Sequence, residues 1–293
     1  MGNTRTWGAA AAAVLTLAGS TGCGPLLTEG RDGPAPADTG IVVHDEAGRV
    51  EDRRAAEDHW TGGGIAAVAR LDAKDDLVQP AWQGGGSIAR TVGRVYASGA
   101  DGGSGACTAT VVGRRTVITA AHCVRTSVEG APASKATWDQ GLYFVPGYEN
   151  GAGPAGGFTV RRVRMAEDWE RYGRDVAMLE MNPGPDGRNI SEFTGVQPIS
   201  FTAKPGTEAN FFGYPYTNRV LYCSGVTTWT ERNTLLRVPC VMGRGSSGGP
   251  YLSGDPAEGS VVAVNVISDD EASYGTALGA FAQRLYEESE RGD

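Results

Sequence analysis

The stretches GSSGGP, at residues 245–250, and TAAHC, at residues 119–123, decide how this sequence folds. The first places Ser247 among glycines, which let the backbone turn sharply and direct amide N–H groups toward one point. The second follows the β-branched run at residues 116–118, which predicts a strand that ends just before His122. We therefore expect a strand to deliver His122 and a tight turn to deliver Ser247 to one site.

Acyl transfer needs these two residue types together with a carboxylate. A serine hydroxyl is a poor nucleophile at its own pKa, so an imidazole must take its proton and a carboxylate must hold that imidazole in one tautomer. Asp175 precedes a short apolar run that predicts a buried strand with the carboxylate at its mouth. We predict catalytic roles for His122, Asp175 and Ser247, with Asp168 and Asp186 as the alternatives to Asp175.

Histidine is scarce in this chain, and its position excludes one class of hydrolase. The three histidines are His44, His59 and His122. Residues 245–249 also fit the G-x-S-x-G turn of the α/β-hydrolases, in which the histidine follows the serine along the chain. No histidine follows Ser247, so that class has no base here. The order His, Asp, Ser is the chymotrypsin order.

These motifs resemble the trypsin-like, chymotrypsin-fold serine peptidases, nearest the bacterial secreted group that includes the glutamyl endopeptidases. FVPGY at residues 144–148 and GYP at residues 213–215 also look like that group. The resemblance implies an all-β fold of two packed six-stranded antiparallel β-barrels with a short C-terminal helix. His122 and Asp175 would come from the first barrel and Ser247 from the second.

Short apolar runs between Gly, Pro and Asp turns agree with such a fold. The backbone N–H groups of Gly245 and Ser247 are expected to form the oxyanion hole. Strands are predicted at residues 92–96, 108–112, 116–120, 158–163, 220–228 and 261–267, and a helix at residues 278–288.

Five cysteines bear on the compartment. In the resembled family a disulfide closes the loop between Cys107 and Cys123, while Cys223 and Cys240 bracket a hairpin-sized segment before the nucleophile. Two disulfides would require an oxidising compartment. The fifth cysteine, Cys23, has no partner in this scheme.

The N-terminus predicts export from the cytosol. Residues 1–22 combine Arg5 with an apolar stretch that is too short to span a bilayer, as in a signal peptide. STGC at residues 20–23 resembles a bacterial lipobox, although Ser20 stands where Leu is usual. We expect an extracytoplasmic protein that is lipid-anchored at the outer face of a membrane through Cys23, with plain secretion as the alternative.

The composition changes between the leader and the peptidase-like region. Residues 23–86 are rich in Gly, Pro and charged residues, which predicts a flexible linker or a pro-segment. Residues 60–71 contain enough apolar side chains to dock on the enzyme. We place the domain boundary at the glycines of residues 84–86 and the peptidase domain at residues 87–293.

Specificity is predicted from the residues just before the nucleophile. In the resembled fold Val241 and Met242 would lie at the pocket floor, where the absence of a carboxylate disfavours tryptic specificity. Arg244 lies beside the oxyanion turn, where it could attract an acidic side chain of the substrate, with an exposed arginine at the rim as the alternative. Glutamyl specificity in the resembled family uses a pocket histidine in the second barrel, and this sequence has none there. We expect small or medium apolar side chains to be preferred. Ser246 replaces the aspartate with which animal digestive enzymes bind a newly cut N-terminus, so that mode of activation is not expected.

Charge and residue spacing limit the partners. A net charge of -8 and a pI of about 5.0 argue against nucleic acid. No His/Cys/Asp cluster has the spacing of a metal site, so neither metal nor cofactor is expected. The expected partner is a peptide or protein substrate, and the expected oligomeric state is a monomer. A catalytically silent binding module is the alternative function.

Overall fold

A computed structural model describes residues 40–71, 79–99, 102–127, 135–169, 174–230 and 235–292. One compact unit runs from Asp38 to Asp293. The predicted signal peptide and Cys23 lie outside the described residues. None of the helices in these ranges has the length and apolar character needed to cross a membrane.

The described chain is mostly strand. The strands are β1 (Ile41–Asp45), β2 (Val92–Ser98), β3 (Ser104–Val111), β4 (Thr116–Thr119), β5 (Arg125–Thr126), β6 (Thr137–Trp138), β7 (Gln140–Pro146), β8 (Phe158–Ala166), β9 (Ala177–Met181), β10 (Glu208–Gly213), β11 (Leu221–Val226), β12 (Thr228–Trp229), β13 (Leu235–Val238), β14 (Pro250–Ser253), β15 (Ser260–Ser268) and β16 (Ser273–Ala277). The helices are α1 (Val50–His59), α2 (Ile65–Leu71), α3 (Ile88–Thr91), α4 (Ser191–Thr194) and α5 (Ala280–Arg291).

The first sheet is a closed barrel with one added strand. Its order is β1-β8-β7-β2-β3-β4-β9, and β8 also pairs with β9. The six strands from β8 to β9 therefore close on themselves, and β1 adds a seventh along β8. All of these pairings are antiparallel. The interior is filled by fully buried side chains such as Phe144, Val160 and Leu179.

The second sheet has seven antiparallel strands in the order β11-β10-β14-β15-β16-β13-β12. Phe211, Leu236 and Tyr251 fill its interior. A further core cluster draws on both sheets, and in it the rings of Tyr148 and Tyr214 lie 5.7 Å apart. Together with α5, these two barrel-like sheets form the chymotrypsin fold that the sequence predicts.

The predicted strands are all present, with bounds that shift by a few residues. The run at residues 220–228 divides into β11 and β12, and the C-terminal helix begins at Ala280. The number of strands differs from the prediction, because each of the two sheets holds seven strands instead of six. The extra strand of the first sheet, β1, comes from the segment expected to be a linker or pro-segment.

That N-terminal segment, residues 40–71, has regular structure. β1 pairs with β8 along its whole length, from Ile41 opposite Ala166 to Asp45 opposite Arg162. A short π-helical turn, Trp60–Gly64, joins α1 to α2. Its charged composition predicts a flexible stretch. The segment is nevertheless ordered because a few anchoring contacts hold it on the peptidase region.

Trp60 is the main anchor of the segment. Its side chain is 1% exposed. The indole Nε1–H donates to the carbonyl of Gly141, at 2.5 Å, and the ring lies 5.2 Å from that of Tyr96. Val68 of α2 belongs to the same core cluster. A stretch with few apolar residues therefore still reaches the core of the peptidase region.

Candidate active site

Strand pairing brings His122 and Asp175 together. His122 lies in a short 3-10 helix, Ala121–Cys123, just after β4. β4 and β9 are antiparallel, with Thr119 opposite Ala177. The residues that follow Thr119 therefore face the residues that precede Ala177, and Asp175 meets His122 at this end of the ladder.

Asp175 holds His122 at two points. Oδ2 of Asp175 lies 2.7 Å from Nδ1 of His122, and Oδ1 accepts the backbone N–H of His122 at 3.0 Å. The alternative carboxylates lie elsewhere. Asp168 pairs with Arg174 at 3.3 Å, and Asp186 lies in an exposed 3-10 turn. Such a two-point contact fixes both the position and the tautomer of an imidazole.

The pKa of His122 is raised above its ordinary value by a balance of opposing effects. Burial is the largest effect and by itself lowers the pKa, because it disfavours the charged ring. The charge of Asp175, its hydrogen bond and the more distant charge of Asp139 raise the pKa and together prevail. The site therefore stabilises the imidazolium that a general base forms when it takes a proton.

The turn that carries Ser247 is held by the first barrel. The N–H of Thr108, in β3, donates to the carbonyl of Ser247 at 2.8 Å, and its Oγ1 donates to the carbonyl of Gly245 at 2.9 Å. The same Oγ1 accepts the N–H of Tyr214 at 2.9 Å. Gly248 fits closely, since a Cβ there would lie 3.0 Å from the backbone nitrogen of Ala120. The serine turn thus packs directly against the strand that leads to His122.

Two amide groups in this turn are available to an anion. Within the ranges that the structure describes, the N–H groups of Gly245 and Ser247 donate to no acceptor, whereas those of Ser246, Gly248 and Gly249 donate to carbonyls. Gly245 has a φ of +92°, and a Cβ there would lie 2.6 Å from a carbonyl oxygen. Only glycine suits this position.

Ser246 is fixed by a buried polar network, which the sequence did not predict. Its side chain is 1% exposed, and Oγ donates to the carbonyl of Gly243 at 2.7 Å. Nδ2 of Asn265 donates to the same Oγ at 3.2 Å, and Oδ1 of Asn265 accepts the hydroxyl of Tyr251 at 3.0 Å. Ser246 therefore has hydrogen-bond partners in its own turn and in β15. In the animal digestive enzymes, the aspartate at this position instead forms an ion pair with a new N-terminus.

Residues 107–264, more than half of the chain, match the family of trypsin-like peptidase domains. This chain belongs to that family. No protein of curated function matches the peptidase significantly.

Three of the solved structures that are similar to this trypsin-like peptidase are proteases. The thermostable serine protease AL20 from an extremophilic microorganism shares 23% identity and a TM-score of 0.64, over 71% of this chain and 100% of its own. The protease Anisep from Arthrobacter nicotinovorans shares 26% identity and a TM-score of 0.63, over 71% and 99%. A Glu endopeptidase shares 16% identity and a TM-score of 0.52, over 67% and 90%.

Two disulfides brace the peptidase. Cys107–Cys123 joins β3 to the turn that carries His122, and Cys223–Cys240 joins β11 to the segment after β13. The sulfurs of the first bond lie within 4.8 Å of a ring nitrogen of His122, but disulfide sulfurs are not thiolate ligands for a metal. Both bonds fit an extracellular peptidase, since disulfides persist in oxidising surroundings.

The residues expected in the specificity pocket have unequal exposure. Met242 is buried, and its N–H donates to Oγ of Ser273 at 3.2 Å. Val241 is half-buried, whereas Arg244 is exposed.

Sequence reasoning did not identify Thr108, Asn265 or Asp139 as part of the site, nor Tyr216, whose ring lies beside Gly245. They are polar or aromatic residues scattered along the chain, and only the folded barrels bring them to the two motifs.

Proposed function

We propose that the peptidase hydrolyses peptide bonds through a triad of His122, Asp175 and Ser247 and an acyl-enzyme intermediate. The observation that carries this proposal is the two-point contact between Asp175 and His122, at 2.7 and 3.0 Å. The bonds from Thr108 to the serine turn support the same conclusion, because they tie the nucleophile to the barrel that carries the base.

Each residue has a defined role in this mechanism. Oγ of Ser247 attacks the carbonyl carbon of the scissile bond while its proton passes to Nε2 of His122. The N–H groups of Gly245 and Ser247 bind the oxygen that becomes negative. His122 returns the proton to the leaving amine, and water, activated by the same ring, later releases the acyl group from Ser247.

The test is a mass-spectrometric map of cuts in a diverse peptide mixture, with Ser247→Ala as the matched control. We expect cuts by the wild type that vanish in the variant, together with labelling of Ser247 by a fluorophosphonate. A folded, disulfide-bonded wild type that neither cuts nor takes up the label would favour the binding module instead. The same map measures the preference for small or medium apolar residues that Val241 and Met242 suggest.

We propose further that residues 40–71 are a built-in part of the enzyme and not an inhibitory pro-segment. Burial of Trp60 and the β1–β8 ladder support this proposal. The cavity beside His122 has no lining residue from this segment among the described residues.

We also propose that residues 1–22 direct export and that acylation at Cys23 anchors the enzyme at the membrane surface. Mass spectrometry of the protein from its host tests the anchor, because an unmodified Cys23 would argue against it.

A further inference from the structure

The two residues of the proposed oxyanion hole share one partner in the first barrel. The carbonyl of Ser247 accepts the N–H of Thr108 at 2.8 Å, and the carbonyl of Gly245 accepts the hydroxyl of the same threonine at 2.9 Å. Thr108 therefore holds both residues by their carbonyls. Their N–H groups, which donate to no acceptor in the part of the chain that the structure describes, are left for the oxyanion.

The hydroxyl of Thr108 makes a second bond at the same time. Its Oγ1 accepts the N–H of Tyr214 at 2.9 Å, just after β10 of the second sheet. A hydroxyl has one donor and two acceptor positions, so it can serve both neighbours together. Because the amide of Tyr214 can only donate and the carbonyl of Gly245 can only accept, these two groups fix the direction of the hydroxyl proton.

Thr108 is itself held firmly. Its side chain is fully buried, and its carbonyl accepts the hydroxyl of Thr119 at 2.8 Å. Thr119 is the last residue of β4, which leads to His122. The preceding residue, Cys107, forms the disulfide with Cys123. The N–H, the carbonyl and the hydroxyl of Thr108 are thus all engaged between the strand before the base and the turn of the nucleophile.

Gly245 needs a constraint from outside its own backbone. Its φ is +92°, and glycine adopts φ values of either sign at similar cost. An added Cβ would lie 2.6 Å from the carbonyl oxygen of Tyr214 and 2.9 Å from the nitrogen of Tyr216, so the loop after β10 packs closely against one side of this glycine. The bond from Thr108 to the carbonyl of Gly245 restricts the remaining freedom of the peptide plane that follows.

We propose that Thr108 is a positioning residue whose hydroxyl orients the oxyanion hole. This inference rests on the proposed function, because it concerns a group behind the N–H donors of Gly245 and Ser247. The side chain of Thr108 acts through the turn and not on the substrate. Its contribution therefore belongs to the transition state, in which the negative oxygen forms, and not to the binding of the substrate in its ground state.

The test compares variants of the full chain on a peptide that the wild type cuts. Thr108→Val removes the hydroxyl and keeps the shape, whereas Thr108→Ser keeps the hydroxyl. We expect kcat of Thr108→Val to fall by about 10–100-fold with little change in KM, as for a small misplacement of catalytic groups. Thr108→Ser should recover most of the lost kcat.

Thr110→Val is the matched control. Thr110 lies two residues further along β3 and is also fully buried, but its Oγ1 has no hydrogen-bond partner in the described structure. The same change of side chain at this position should leave kcat and KM at their wild-type values.

A pair of inhibitors separates this role from a purely structural one. A peptidyl trifluoromethyl ketone forms a bond between Oγ of Ser247 and the ketone carbon, while the serine proton passes to His122 and the ketone oxygen becomes the oxyanion. The matching peptidyl alcohol forms no such adduct. We expect Thr108→Val to weaken inhibition by the ketone by about 10–100-fold, because the ketone adduct resembles the transition state, and to leave inhibition by the alcohol unchanged.

A folded Thr108→Val with the wild-type kcat, or with equal losses of affinity for the two inhibitors, would overturn the role of Thr108. If this variant does not fold, Thr108→Ala replaces it with the same expectations, since alanine places no methyl group against the carbonyl of Gly245. Thermal unfolding checks that each variant is folded at the assay temperature. A wild type that neither cuts peptides nor forms the ketone adduct would overturn the proposed function as well.

Discussion

At the level of single residues, the proposed mechanism makes activity depend on the protonation of His122. A general base must be neutral to accept a proton, and the pKa of His122 is raised because Asp175 and Asp139 together outweigh burial. We expect kcat/KM for a substrate without charged side chains to fall as the pH drops through a pKa above the ordinary histidine value of about 6.5.

Asp139→Asn tests the source of that shift. Removing a negative charge favours the neutral ring, so the acid limb of the pH profile should move to lower pH. Asp270→Asn, at an exposed position, is the matched control and should leave the limb in place. An acid limb that stays fixed in Asp139→Asn would show that its charge does not act on His122.

Gly245 combines a backbone requirement with the catalytic role that we propose for its N–H. In Gly245→Val the side chain would approach the carbonyl of Tyr214, and the φ of +92° would cost about 1–3 kcal/mol. We expect the oxyanion donor to move and kcat to fall by about 10²–10³-fold, while the two disulfides still form. Gly254→Val is the control, because Gly254 has the same φ with nothing near the added Cβ. A normal turnover number for Gly245→Val would rule out this role.

Ser246 tests how the serine turn is held. In Ser246→Ala the buried Nδ2 of Asn265 loses its acceptor, which should cost about 1–3 kcal/mol of stability. Because the turn also loses its bond to Gly243, we expect kcat to fall more than KM rises. Steady-state kinetics and thermal unfolding measure both effects. Ser253→Ala, at the half-buried end of β14, is the control and should change neither constant appreciably.

At the level of elements, Trp60 decides whether the N-terminal segment stays on the barrel. Trp60→Ala should destabilise the protein by about 3–5 kcal/mol, because it removes a fully buried ring and leaves a cavity. Activity per folded molecule should persist at low temperature, since Trp60 does not line the cavity beside His122. Val50→Ala, at a position 50% exposed in α1, should change stability by less than about 0.5 kcal/mol. Equal melting temperatures for the two variants would contradict the anchor.

The elements also show how far sequence reasoning reaches. Strands with β-branched runs, such as β2, β4 and β15, were predictable because their pattern is local. The contact between His122 and Asp175 followed from a family resemblance that fixes long-range pairing. β1 and α1 were expected to be flexible because their charged residues dominate, and Trp60 is recognisable as an anchor only once Tyr96 and Gly141 surround it. Asp139 and Asn265 had no motif around them.

At the level of the whole molecule, β1 supports the wall of the active site from outside. The ring of His44 stacks on Trp138 at 4.4 Å, and Trp138 lies opposite Arg125 in the β5–β6 ribbon that leads to Asp139.

Two truncated chains test this support. A chain that starts at Gly40 should keep full stability and activity. One that starts at Ser87 loses β1, Trp60 and the His44 stack, so we expect a lower melting temperature. Thermal unfolding and peptide kinetics on both proteins check this, and identical behaviour would show that residues 40–86 are dispensable.

The buried partners of Ser246 have one more consequence. An enzyme whose serine turn forms only after cleavage gives a new N-terminus can be stored inactive and activated by a second protease. Here Gly243 and Asn265 already satisfy Ser246 within the folded chain. We therefore expect the serine turn to form without cleavage to a new N-terminus, so that folding sets the moment at which the proposed triad can first cut.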